Sequence, residues 1–169
     1  MSVRAASLLV ALGLVIAASL AAGRQESPMV LAEAFVRAAN ASDRTALENL
    51  VHPDVIVYLK ESDPERWEQV LAGWASTQFG AGYDIVVRPS SEVGLYDEEQ
   101  QTLVFGDRLR FRFPIQPPSH FLIIQIKNQS PLDAHDERPL LGSNAVEAVR
   151  EDGGRWYVTV PVVEILPDF

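Results

Sequence analysis

Three carboxylates, Glu61, Asp63 and Glu147, are the residues whose surroundings could make them proton carriers. A carboxyl group exchanges protons near neutral pH only where an apolar environment disfavours its charge, so what each one faces decides its chemistry. For Glu147 the deciding quantity is strand register. If Asp152-Gly153 makes a two-residue hairpin turn, Val149 faces Trp156 and Glu147 shares the face of Val158, pointing into the core with a raised pKa. If Asp152-Gly153-Gly154 makes a three-residue loop, Val146 and Ala148 face Val160 and Val158, and Glu147 looks outward. The second arrangement buries more apolar surface and is the expected one.

Other groupings point to less. Arg108, Arg110 and Arg112 alternate with Leu109, Phe111 and Phe113, which puts three cations on one face of a strand. Such a stripe suits an acidic ligand, but its commoner use is a solvated sheet face paired with carboxylates of neighbouring strands such as Glu147. His52, His120 and His135 are too scattered for a metal-ligand pair, and His135-Asp136-Glu137 reads as a charged loop in water. No metal and no cofactor are expected. Trp67 and Trp74 stand seven apart on one helical face, where core packing is the usual role. Phe35, Tyr58, Trp67, Trp74, Phe111 and Trp156 are the aromatic candidates for lining a pocket. No Gly-x-Ser-x-Gly elbow and no glycine-rich phosphate loop occur.

The elements that must position these residues follow from caps and periodicity. Ser27-Pro28 is a helix start, with Leu31, Ala34, Phe35 and Ala38 on one face. After a break at Ala41-Ser42-Asp43 a shorter helix carries Ala46, Leu47 and Leu50, and His52-Pro53-Asp54 ends it. The β-branched stretch 55–59 reads as a strand, and Asp63-Pro64 opens a third helix with Trp67, Val70, Leu71 and Trp74 as its stripe. Strands are then expected over 83–88, 92–96, 102–113, 121–127, 144–150 and 155–163, with a long loop over 128–142.

At the start of the chain, Arg4 precedes an apolar run from Leu8 to Ala22, and small residues cluster at Ser19, Ala21, Ala22 and Gly23. This is the pattern of a signal peptide over 1–23, cut after Ala21 or Gly23, followed by one domain over 24–169. Fifteen helical residues span roughly 22 Å, short of a hydrocarbon core of roughly 30 Å, so an uncleaved membrane anchor is the alternative. Cysteine is absent, which fits an exported bacterial protein, periplasmic or secreted, without disulfides. Two glycosylation sequons, Asn40-Ala-Ser42 and Asn128-Gln-Ser130, are short enough to be chance matches. Asp and Glu number 23 against 14 Lys and Arg, for a net charge of −9, which repels phosphate backbones and argues against nucleic acid as a partner.

Helices first and an antiparallel meander afterwards mean α+β, with three N-terminal helices packed on one face of a curved, cone-like sheet. On the segments "AEAFVRAANASDRTALENLVHPDVIVY" at 32–58 and "VREDGGRWYVTV" at 149–160, the chain resembles the nuclear transport factor 2-like superfamily, which also contains ketosteroid isomerases and polyketide cyclase-like enzymes. The resemblance implies, for an isomerase of that kind, a base near Leu59, a hydroxyl donor at Phe35 and an acid around Ser143 or Val146. None of these side chains can do that chemistry, which leaves Glu147, Glu61 or Asp63 as replacement bases.

The leading expectation is therefore an exported, non-catalytic domain that binds a small apolar ligand or an envelope protein. The alternatives are a cofactor-independent lyase or isomerase with a non-standard carboxylate base, and a self-associating structural module, with a homodimer through the sheet face as its natural form. An enzyme needs an apolar cavity holding a carboxylate of perturbed pKa, and a plain binding domain needs the cavity without that acid.

Overall fold

Four helices form the first half of the domain, each started by a side-chain cap. The computed structural model describes residues 25–79, 82–93, 96–97, 99–105, 109–126 and 144–165. The expected signal segment, the second sequon, the expected loop over 128–142 with His135, and Arg108 and Ser143 lie outside these residues. In α1 (Pro28–Asn40) the Ser27 hydroxyl accepts from the Val30 N–H at 3.2 Å, and Leu31, Phe35 and Val36 are buried. Asp43 caps the short α2 (Arg44–Glu48) through the Ala46 N–H at 3.0 Å. Asp63 caps α4 (Pro64–Ser76) through the Arg66 N–H at 3.1 Å, and Trp67 and Leu71 face the core.

Between them lies α3 (Pro53–Ser62), where a strand is expected. His52 Nδ1 accepts from the Asp54 N–H at 3.2 Å, and Pro53 takes the first helical position, so Pro53 opens a helix and does not close the preceding one, which has already ended at Glu48. Val55 and Leu59, one turn apart, are buried, while Val57 is 55% exposed. Cap and helical spacing override the β-propensity of this run. Among the described residues four helices, not three, therefore precede the sheets. Among the described residues no helix is long and apolar enough to cross a membrane.

The strands divide into two antiparallel sheets. The first joins β1 (Tyr83–Pro89), β5 (His120–Ile126), β6 (Asn144–Asp152) and β7 (Arg155–Thr159) in the order β1-β5-β6-β7. The second joins β2 (Tyr96–Asp97), β3 (Thr102–Phe105), β4 (Leu109–Arg112) and β8 (Val162–Ile165) in the order β2-β3-β4-β8. Two expected single strands are thus broken. The run 102–113 is a hairpin with Phe105 opposite Leu109, and Gly106-Asp107 is a turn signal that the apolar alternation hides. The run 155–163 is interrupted before Pro161, which has no N–H to give to a ladder, and its end joins the other sheet beside β4. Of the described residues in the stretch 92–96 only Tyr96 is strand: a 3-10 turn occupies Ser90–Glu92 before the two-residue β2.

The main core lies between the helices and one face of the first sheet, where Leu122, Ile124, Val149 and Val158 are fully buried against Phe35, Leu47, Leu59 and Trp67. A smaller core on the opposite face joins Phe121 and Ala148 of the first sheet to Leu103 and Phe113. Both faces of β6 are therefore apolar surroundings.

Candidate functional site: a carboxyl group in an apolar cavity

The β6–β7 turn is Gly153-Gly154, with φ of 59° and 78°, a left-handed pair that two glycines adopt without strain. It is a two-residue turn, one position later than either arrangement expected. Asp152 pairs with Arg155, Val149 with Val158 and Ala148 with Thr159, while across β5 Glu147 pairs with Leu122. Glu147 consequently shares the helix-facing side with Val149 and Val158. The outward orientation expected from apolar area is overturned. Area does not discriminate here, because Val146 and Ala148 on the other side pack against the second sheet.

Glu147 borders a cavity of about 280 Å³. One wall is α4, whose Arg66, Val70 and Trp74 recur every four residues along the same helical face. The other walls are Phe121, Val146, Ala148 and Thr159 of the first sheet, Leu103 and Phe111 of the second, Phe113 just after β4, and the Val160-Pro161 connection. Glu147 is half-buried because its exposed surface borders this cavity. Burial pushes its carboxyl up to about 8, against a hydrogen bond from Trp74 that pulls the other way. The indole N–H is the only donor of that side chain, so Trp74 donates and the carboxyl accepts. At neutral pH the group is mostly the uncharged acid.

Two more polar groups belong to the cavity walls. Thr159 Oγ1 and Arg66 Nε are buried without a hydrogen-bond partner among the described residues. Such atoms are rare and costly in folded proteins, and they gather at functional sites.

Of the pocket candidates, Trp74 and Phe111 line the cavity. Phe35 and Trp67 are core residues, and Phe35 meets the Trp74 ring edge-on at 5.4 Å. Tyr58 and Trp156 pack against the helix-side core. Glu61 and Asp63 are exposed, and Asp63 is occupied as the α4 cap. Leu59 is buried on α3. Arg110 and Arg112 lie on β4 in the second sheet, so Arg110 is a strand neighbour of Glu164 and not of Glu147. Among the described residues no group of three His, Asp or Glu side chains could hold a metal ion. Sequence reasoning missed Arg66 and Thr159. The four-residue spacing of Arg66, Val70 and Trp74 carries the signal for the first; Thr159 carries none, because its face looks solvent-exposed until the second sheet is in place.

A second polar cluster lies outside the cavity. His52 is 3% exposed, and its Nδ1 accepts the α3 cap bond, which places its proton on Nε2, 3.3 Å from Asp152 Oδ2 in the β6–β7 hairpin. The Tyr157 ring meets His52 edge-on at 5.0 Å.

Compared with protein-family models, with curated proteins and with solved structures, the chain matches none. Its function must be argued from this cavity.

Proposed function

We propose that the domain holds a small, largely apolar carbonyl compound in this cavity and shifts a proton on it through Glu147, as a cofactor-independent isomerase. The observation that carries the reading is a carboxyl group with a pKa near 8 on the wall of an apolar cavity. That pKa leaves about a tenth of Glu147 ionised at pH 7, enough for a general base whose conjugate acid is ready to return the proton.

The step balances without a co-reactant. Ionised Glu147 removes a proton from the carbon beside the carbonyl; the C–H electron pair becomes the enolate, with its charge on oxygen. Neutral Glu147 then returns the proton to another carbon of the conjugated system, and the double bond has moved. The Trp74 N–H fixes one carboxyl oxygen and so orients the other.

One observation favours a second reading, binding without catalysis. Among the described residues lining the cavity, Glu147 is the sole carboxylate and there is no histidine. The neutral acid would then only donate a hydrogen bond to a ligand oxygen. The layering of helices on an antiparallel sheet supports the nuclear transport factor 2-like resemblance as part of this proposal, and the helix at 53–62 departs from it. The apolar run at 8–22 and the absence of cysteine support an exported setting.

Exchange of the α-protons of 2-octanone in D₂O, followed by proton NMR, separates the readings. Catalysis predicts exchange faster than buffer, rising with pH to a plateau above about 8, and the buffer rate for Glu147→Gln. Binding of 2-octanone with no accelerated exchange leaves the plain binding reading.

A further inference from the structure

We infer that the ligand of this cavity carries a carboxylate, seated against Arg66, with an apolar body lying along Phe111, Phe113 and Phe121. The inference rests on the reading of the cavity as a ligand site and names the chemical class it takes.

The argument starts from charge. Arg66 is half-buried on the cavity wall, and none of the ion pairs among the described residues includes it. Arg44 is occupied by Glu68, Arg150 by the Pro117 carbonyl, and Arg155 by Gln25 and the Asn49 carbonyl, while Arg110, whose Nε is likewise unpartnered, lies outside the cavity lining. Arg66 Nε is itself buried, so a ligand meets the guanidinium at its two Nη groups, where a planar carboxylate accepts two parallel N–H bonds. The chain as a whole is acidic, with a net charge of −9, so this cation is not part of a general basic surface.

Glu147 is what makes the assignment specific. Were it ionised, it would neutralise Arg66 from across the cavity and repel an incoming anion. As the neutral acid it does neither, and it can donate its proton to the ligand. Thr159 apart, the remaining lining is aromatic and aliphatic, which suits a hydrocarbon body. A space of about 280 Å³ equals roughly nine waters at about 30 Å³ each, the scale of an eight-carbon acid.

Calorimetric titration of the full chain with octanoate and with 2-octanone tests this. At pH 6.5, octanoate should bind more tightly than the ketone. Arg66→Met should weaken octanoate at least tenfold and change 2-octanone less than twofold, while Arg66→Lys keeps most of the affinity. At pH 9 octanoate binding to the wild type should fall at least tenfold, and Glu147→Gln should abolish that fall. Octanoate binding no tighter than 2-octanone, or Arg66→Met weakening both alike, overturns the inference. The wild-type comparison of the two probes decides it even if a variant does not fold. Binding of 2-octanone alone sinks the carboxylate assignment and leaves the cavity as a ligand site; binding of neither probe overturns that site as well.

Discussion

Glu147 takes up its proton on folding, and this ties the stability of the molecule to pH. In the unfolded chain the group titrates near 4.5, and in the folded chain near 8. Between those values the folded state holds more protons than the unfolded one, so stability falls as pH rises from about 4.5 to 8 and levels off above. Charging the group inside the fold costs on the order of 5 kcal/mol. Glu147→Gln keeps an acceptor for Trp74 and removes the charge. Urea unfolding at pH 5 and pH 9 should therefore show a wild-type loss larger than the variant's by about 4 kcal/mol. The candidacy of Glu147 is legible from its place in an apolar strand. Its direction is not, because that depends on a second sheet covering the far side of β6.

His52 joins two elements distant in the chain, the start of α3 and the β6–β7 hairpin. Replacing it by Ala removes a helix cap and a buried hydrogen bond to a carboxylate, and should lower stability by about 1–3 kcal/mol. His52→Asn keeps a cap acceptor and should recover about 1 kcal/mol of that loss; chemical denaturation of both variants measures the two parts. Helix starts at Ser27, Asp43 and Asp63 are readable because an oxygen-bearing side chain precedes each helix. The start at His52 is not, because imidazole is an uncommon cap and Val55, Ile56 and Val57 look like strand residues. Only the packing of Val55 and Leu59 against the core settles the conflict in favour of helix.

Across the whole molecule, two cores of unequal size share the first sheet. The helix-side core holds most of the buried side chains, whereas, among the described residues, the second sheet gives the smaller one buried Leu103, with Tyr96 and Phe111 packed against it. Hydrogen exchange should follow that division: amides of β3, β4 and β8 should exchange before those of β5, β6 and β7. Equal protection of the two sheets, measured by mass spectrometry on peptides from each, would contradict it. The order of helices before strands is legible from period alone. The partition into two sheets is not, since it depends on the pairing of β4 with β8, more than fifty residues apart in sequence.

Trp74 stands where these scales meet. Its ring touches Phe35 in the core at 5.4 Å, its N–H reaches Glu147, and its side chain forms part of the cavity wall. An indole is a chromophore whose emission shifts with the charge and polarity beside it. The protein therefore contains its own optical reporter, one that sees the ionisation of the carboxyl group and the arrival of a guest through the same ring, without any label attached.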